Sequence, residues 1–273
     1  MRNVGVCSWS LRPSGPAELA KAAAACGVPG VQLALDPLRT GQWDVQDTVT
    51  ALEAAGLRVL SGMMATRGED YSTLDSIRAT GGVRLDEHWD ENLAAARANA
   101  VIARGLGLKL VTLHAGFLPH DERDPLRAAM LDRLRVLIGV FAEQGVTVGL
   151  ETGQEDAPTL LSVLHALRAE PPRVNFDPAN MILYGMGDPV EALRVLAPHV
   201  AQVHIKDAVA ASEPGAWGTE VPAGTGQVDW PAFFGVIKAL PETIALIIER
   251  EAGEARIDDV RTARHLIRAQ GGW

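Results

Sequence analysis

The sequence predicts an α/β protein of one domain, a (β/α)8 TIM barrel running over residues 1–273. Three observations predict it. Short runs rich in Val, Ile and Leu alternate strictly with longer segments of helical period, which means parallel strands joined by crossover helices. Eight such pairs can be read, and eight can close on themselves where an open sheet would not require that number. The length of 273 residues is that of one such barrel, and no linker or shift in composition divides it.

The elements follow in order. The first strand is Val4 to Trp9, and the Ala-rich helix after it runs from Pro16 to Cys26, ended by Gly27. The second strand is Gly30 to Leu35, followed by a helix from Asp44 to Ala55 that Gly56 stops. The third is Arg58 to Met64; a long polar stretch separates it from the helix Asp90 to Arg104, which precedes the GLG at 105–107. Lys109 to His114 is the fourth strand and Pro125 to Gln144 its helix. The fifth pair is Val146 to Glu151 with Pro158 to Ala169, and the sixth is Arg173 to Phe176 with Pro189 to Leu196. The seventh strand, Ala201 to Ile205, leads to a helix from Trp230 to Leu240. The eighth, Ile244 to Arg250, is closed by Ile257 to Arg268. Pro or Asp at helix starts and Gly at several ends fit the preferences of helix termini.

Two connections exceed the usual few residues, Ala65 to Trp89 and Ala208 to Asp229. Both follow strands, so both lie on the C-terminal face, where barrels build their active sites. They read as a lid or substrate-selecting wall, or else as surface decoration.

Composition narrows the function classes. Hydrophobic residues at 47% and charged residues at 22% are ordinary for a globular protein. No apolar stretch nears the roughly 20 residues of a membrane span. The N-terminus, MRNVGVCSWSLRPSG, lacks the apolar core of a signal peptide, so the cytoplasm is the expected compartment. Cys7 and Cys26 are the only thiols, too few for a disulfide framework or a cysteine zinc site. A net charge of −9 works against sequence-independent nucleic-acid binding. The expected partner is a small-molecule carbohydrate; a homo-oligomer is left open, because no exposed seam can be read.

Four side chains point to chemistry. Glu151, Asp177, His204 and Glu249 sit near the ends of apolar runs, in VTVGLETG, RVNFDP, AQVHIKD and TIALIIERE. Barrel interiors are packed with apolar layers, so an inward carboxylate is tolerated only at the rim, and then paired. Strands five to eight are neighbours, so these tips converge. Three carboxylates and an imidazole facing one another need a cation to neutralise them. Mixed oxygen and nitrogen ligation suits one divalent ion, Mn²⁺, Mg²⁺, Co²⁺ or Zn²⁺. The bland alternative for each residue taken alone is a solvated strand end or an ion-pair partner. Side chains two apart on a strand share a face, so His204 and Lys206 point one way, as do Glu249 and Glu251, and Thr112 and His114.

At these residues the chain resembles a known family. GLETG, NFDPANM, VHIKD, GTGQVDW and IIERE, in that order, are similar to the sugar phosphate isomerases/epimerases, xylose isomerase-like TIM barrels of the AP endonuclease family 2 superfamily. The resemblance implies that Glu151, Asp177, His204 and Glu249 are metal ligands and that Glu151 and Glu249 also move protons. The family's Asp-x-x-His stands here as Asp177-Pro178-Ala179-Asn180, so a histidine often used on substrate is absent. Where the related endonucleases carry an Asp-x-His ligand pair this chain reads WGTEVPA, so one metal rather than three is implied.

A metal holding two adjacent oxygens of a hydroxy-ketone acidifies the C–H between them and stabilises the enediolate. Two glutamates flanking that carbon then give an isomerase or epimerase of a sugar, sugar phosphate or polyol-derived ketone. Loss of a neighbouring hydroxyl instead makes an inosose-type dehydratase or keto-sugar lyase, and a catalytically silent sugar-binding barrel is the non-enzymatic alternative. His114, in TLHAG, Asn180 and Lys206 are candidate substrate contacts; His114 also reads as a buried histidine, and Lys206 as a structural partner of Asp207 or a nearby loop. Trp9, Trp43 and Trp217 offer flat faces that stack on sugars or pack. Arg67, just past strand three, is a candidate contact for a phosphate or carboxylate. GTGQVDW is read as shaping the loop before the seventh helix, with Asp229 as N-cap.

Overall fold

A computed structural model describes residues 2–169, 171–213 and 215–271. Eight parallel strands close a barrel: β1 (Val4–Cys7), β2 (Gly30–Ala34), β3 (Arg58–Met63), β4 (Leu110–Leu113), β5 (Thr147–Glu151), β6 (Arg173–Phe176), β7 (Val200–Ile205) and β10 (Ala245–Ile248). Their spatial order is the chain order, with β10 returning to pair with β1 (Val4 opposite Leu246, Val6 opposite Ile248). The strands are a residue or two shorter than the sequence predicts at several ends. The reason is local: Ser8–Leu11 turns into a 3₁₀ helix straight after β1, so Trp9 lies beyond the ladder.

The crossover helices are α1 (Pro16–Cys26), α3 (Val45–Ala54), α5 (Trp89–Gly105), α6 (Pro125–Ala142), α7 (Ala157–Ala166), α9 (Pro189–Leu196), α10 (Trp230–Ala239) and α11 (Arg256–Ala269). The helix expected to run to Ala169 ends at Ala166, with Leu167 as its C-cap. Asp44, Asp124, Asp156, Asp188 and Asp229 cap the starts of α3, α6, α7, α9 and α10 by accepting first-turn N–H groups. Each such cap is worth about 1 kcal/mol. The outer face of every strand packs under these helices: Val31, Leu113, Val148, Phe176, Val203 and Leu246 are all buried in one apolar cluster.

Short elements not read from the sequence follow several strands: α2 (Asp36–Arg39), α4 (Leu74–Thr80), α8 (Pro178–Leu183), an antiparallel pair β8 (Asp207–Val209) and β9 (Thr219–Val221), and the 3₁₀ turn after β1. All lie after strands, and α4 and the hairpin give the two long connections an internal structure. Gly82 and Gly116 lock the first of these connections to the end of β4. A Cβ on Gly82 would lie 2.1 Å from the Ala115 carbonyl, so only bare backbone passes there. Among the described residues no helix is long and apolar enough to cross a membrane.

The barrel interior corrects one expectation. Beneath the rim it is not apolar: Gln32, Ser61, Thr112, Asn175 and Gln202 are all essentially fully buried and form a hydrogen-bonded polar layer. The price of burying them is offset because each finds a partner.

Candidate metal and active centre

The four strand-end residues meet above that layer. Glu151 ends β5, Asp177 follows β6, His204 is the fifth residue of β7 and Glu249 follows β10. One donor atom from each lies within 4.8 Å of the others, and all four side chains are buried. His204 Nδ1 stands 3.4 Å from Glu151 Oε1, 3.4 Å from Asp177 Oδ2 and 3.3 Å from Glu249 Oε2.

Local structure explains how each group is aimed. Asp177 caps α8: its Oδ1 accepts from the Asn180 N–H (2.9 Å), which turns Oδ2 into the site. Thr152 ties β5 to β6 by accepting from the Asp177 N–H (2.8 Å) and donating to the Asp177 carbonyl (3.0 Å). Glu151 accepts from Asn180 Nδ2 (3.1 Å) on one oxygen and from Asn175 Nδ2 (3.0 Å) on the other. Glu249 accepts from Trp9 Nε1 (2.8 Å) and Lys206 Nζ (2.9 Å). The contrast is with Asp177 Oδ2 and His204 Nδ1. Both are buried and, among the described residues, neither has a hydrogen-bond partner.

The donor set fits a divalent cation on that ground. Two orphaned buried donors flanked by two further carboxylates cost free energy unless something positive lies between them. Separations of 3.3–3.4 Å are close to the ~3.4 Å edge of a tetrahedron whose metal–ligand bonds are about 2.1 Å. Without a metal the same need is met by a proton. Burial alone would lower the His204 pKa, but Glu151, Glu249 and Asp177 outweigh it and raise it well above the ordinary imidazole value. Asp177, whose burial outweighs the pull of Lys206, is pushed up to about 6.

Other predicted residues fall into three groups. Lys206 and Asn180 belong to the cluster. Lys206 Nζ donates to Glu249, to Glu251 Oε2 (2.6 Å) and to Asn180 Oδ1 (3.3 Å). It makes no bond to Asp207, which corrects that alternative. Asp207 instead accepts from the N–H groups of Gly224, Gly226 and Val228 and from Trp230 Nε1 (2.9 Å), so it is the organiser of the GTGQVDW loop. Trp9 and His114 line a cavity of about 250 Å³ with Met63, Met64, Tyr71 and Glu69; none of the four donors lines it, and it borders the cluster through Trp9 beside Glu249, His114 beside Glu151 and Glu251 beside Lys206. His114 Nε2 is 3.8 Å from Glu151 Oε1, and its buried Nδ1 has no partner among the described residues. Trp217 packs on Tyr184 at 5.1 Å, and Tyr184 on Phe117 at 5.5 Å.

Two side chains lie elsewhere. Arg67 turns away from the cavity: its side chain is 70% exposed and pairs with Glu91 on α5 at 3.0 Å. There it lines a larger open groove of about 690 Å³ between α2 and α5, which shares Asp36, Ala65 and Thr66 with the cavity; among the described residues neither metal-ligand group lies in it. Trp43 is buried in the core and offers no face to a ligand. Sequence reasoning missed Glu69, Tyr71 and Glu251 as cavity walls, and the polar layer beneath the site. The position of Glu251, two residues after Glu249, was the available signal.

Comparison with known proteins supplies the family. The pattern of the xylose isomerase-like TIM barrels matches residues 20–270, and the chain belongs to that family. A xylose isomerase domain protein from Planctomyces limnophilus is 32% identical, with 91% of this chain and 88% of that one covered and a TM-score of 0.81. YihM, an uncharacterized protein of Escherichia coli (strain K12), is 32% identical over 153 residues, 55% of this chain and 46% of that protein. The chain thus matches about half the length of that relative. An L-ribulose 3-epimerase shares the fold at 16% identity, with a TM-score of 0.76 over 99% of this chain and 94% of that one.

Proposed function

We propose that the protein is a divalent-metal-dependent isomerase or epimerase acting on an unphosphorylated keto-sugar. The single observation that carries this reading is the convergence of Glu151, Asp177 and Glu249 on the unpartnered Nδ1 of His204. A divalent ion held by these four residues would acidify the C–H beside the carbonyl of a chelated hydroxy-ketone. Glu151 and Glu249 are the two bases. One takes the proton and the other returns it, to the opposite face for epimerisation or to the adjacent carbon for aldose–ketose exchange. Asn180 and Asn175 hold the Glu151 carboxylate, and Trp9 and Lys206 hold that of Glu249, so neither swings during transfer.

The cavity supports a neutral substrate. Its charged walls are Asp36, Glu69 and Glu251, and its one nearby lysine, Lys206, is already shared between Glu249 and Glu251. Arg67, the candidate phosphate contact, is engaged with Glu91. A phosphate dianion would meet carboxylates without a free cation. At about 250 Å³ the cavity lies below the roughly 300–1,000 Å³ of sites for drug-sized ligands, which suits a single sugar ring.

A dehydratase is the second reading, and His114 favours it. A partly exposed imidazole beside Glu151, with one nitrogen unpaired, is positioned to protonate a departing hydroxyl. Incubation of the Mn²⁺-loaded protein with ketoses, inososes and keto-glycosides in D₂O, followed by NMR, separates the readings. Deuterium next to the carbonyl with the carbon skeleton intact supports the isomerase or epimerase; loss of water supports the dehydratase. No exchange into any of them, from a protein that binds no metal, removes both.

A further inference from the structure

Beneath the four donors, the polar layer has a direction that can be read from its fixed ends. Gln32 Nε2 faces the backbone carbonyl of Gly62 at 3.4 Å, an acceptor that can play no other role, and donates to Thr112 Oγ1 at 2.8 Å. The amide is thereby pinned with its oxygen on the other side. That oxygen accepts from Gln202 Nε2 (2.9 Å) and lies 2.8 Å from His204 Nε2. A carboxamide oxygen cannot donate, so His204 Nε2 must carry a proton. The lone pair of the neutral ring is then on Nδ1, the atom that faces the three carboxylates. Asn175 Nδ2 gives one hydrogen to Glu151 Oε2 at 3.0 Å and lies 3.1 Å from the same Nε2, but an unprotonated Nε2 would set its lone pair against that of Gln32 Oε1 at the shorter 2.8 Å, so the proton stays on Nε2. Asn175 is itself pinned, since its Oδ1 accepts from Gln202 Nε2 at 3.1 Å.

We infer that Gln32, on the opposite half of the barrel from His204, is the positioning residue that sets the His204 tautomer and so presents Nδ1 to a divalent cation. This rests on the metal-dependent reading above. Gln32 touches neither metal nor substrate. It acts through the ring it holds, and Gln202, fixed in turn by Ser61 Oγ at 2.6 Å, keeps its oxygen in place. An outer-shell acceptor of this kind is worth 10–100-fold in metal affinity.

The test uses the full-length protein, with Mn²⁺ affinity by calorimetry and the imidazole protons and nitrogens of the Zn²⁺-loaded and metal-free forms by NMR. Gln32→Met keeps the side-chain length without an acceptor, and is expected to weaken Mn²⁺ binding by about 10–100-fold. Gln32→Glu restores an acceptor for Nε2–H and should recover most of that loss. Asp44→Ala removes the N-cap of α3, outside the layer and the cluster; it is expected to lower the melting temperature while leaving Mn²⁺ affinity close to wild type. In the wild-type Zn²⁺ form His204 should carry its proton on Nε2, slow to exchange. That proton should also be protected in the metal-free protein and lose its protection in Gln32→Met.

Wild-type affinity in Gln32→Met, an equal loss in Asp44→Ala, or a proton found on Nδ1 in the Zn²⁺ form would overturn the inference and leave the metal reading standing. A wild-type protein that binds neither Mn²⁺ nor Zn²⁺ sinks the metal reading instead. If Gln32→Met does not fold, the wild-type NMR result decides alone.

Discussion

The two halves of the barrel are built on opposite electrostatic terms. β5, β6, β7 and β10 bring three carboxylates and an imidazole to one point, and among the described residues leave Asp177 Oδ2 and His204 Nδ1 without a hydrogen-bond partner. β2, β3 and β4 bring Gln32, Ser61 and Thr112, neutral groups whose polar atoms are all paired. One half leaves buried polar atoms open; the other is complete and holds the first in register. A charged cluster alone would splay or bind protons, and a neutral network alone would do no chemistry. The two sets meet on β6 and β7, where Asn175 and Gln202 join the neutral network directly beneath Asp177 and His204.

The strongest way to break this comparison is to neutralise the reactive half. Glu151→Gln and Glu249→Gln preserve shape and hydrogen bonding but remove a base. Each is expected to cost turnover about 10²–10⁴-fold on the substrate found by D₂O exchange. Metal content, measured on the same samples, separates loss of a base from loss of a ligand. Turnover equal to wild type in a variant that still holds metal would move the proton-transfer role to other residues.

Lys206 is the next largest. It is buried with Glu249, and its removal leaves an anion that the fold has paid to desolvate. Lys206→Met should destabilise the metal-free protein by about 3–5 kcal/mol in urea unfolding, the usual cost of orphaning a buried charge. If a bound divalent ion takes over part of the pairing, Mn²⁺ should rescue this variant more than it raises the wild type. Equal stabilisation of both would show that Lys206 and the cation do not share a partner.

How much of this was readable in the sequence follows the same division. Charges at strand ends stand out because apolar neighbours make them costly, so Glu151, Asp177, His204 and Glu249 were visible as a set. The barrel was visible too, since the periods of strands and helices repeat eight times. Gln32 and Gln202 were not. A glutamine in a strand reads as a neutral surface residue, and only the closed ring shows that the two amides meet across 170 positions of chain. The helix α8 had a signal that went unused: Asp177 followed by Pro178 is an N-cap with Pro at the first helical position. Arg67 misled because a loop arginine near a rim has no pattern that fixes where it points.

Glu155, in the ETGQED loop after β5, offers a smaller and pH-dependent test of the reactive half. Burial, helped by Asp156, pushes its carboxyl from the ordinary 4.5 up to about 8. Between these values the folded protein keeps a proton that the unfolded chain has released. Stability from this group therefore falls as pH rises from about 4.5 to about 8, and is flat on either side. Glu155→Gln removes the penalty. Its gain in unfolding free energy should be near zero at the acid end and largest at the alkaline end. A gain that does not grow with pH would mean that water or a movement of the loop solvates Glu155.

The smallest effect is expected at Arg67, and it sharpens the claim that the first half of the barrel gives the cavity neutral and acidic walls but no cation. The Arg67 N–H is anchored to the buried Asn92 Oδ1 at 2.7 Å, which directs the side chain along α5 and away from the cavity. Its pair with Glu91 is exposed on both sides, 70% and 59%, and such pairs contribute about 0–1 kcal/mol. Arg67→Ala should leave kcat/KM for a neutral keto-sugar within about twofold, and the melting temperature nearly unchanged. The informative comparison is a phosphorylated analogue of the same sugar, which the acidic cavity should reject in wild type and variant alike. A wild type that prefers the phosphorylated sugar, with the preference lost in Arg67→Ala, would mean that the connection after β3 swings Arg67 over the cavity when substrate binds. The half whose strands are neutral would then supply a cation to the cavity, from a loop in place of a strand.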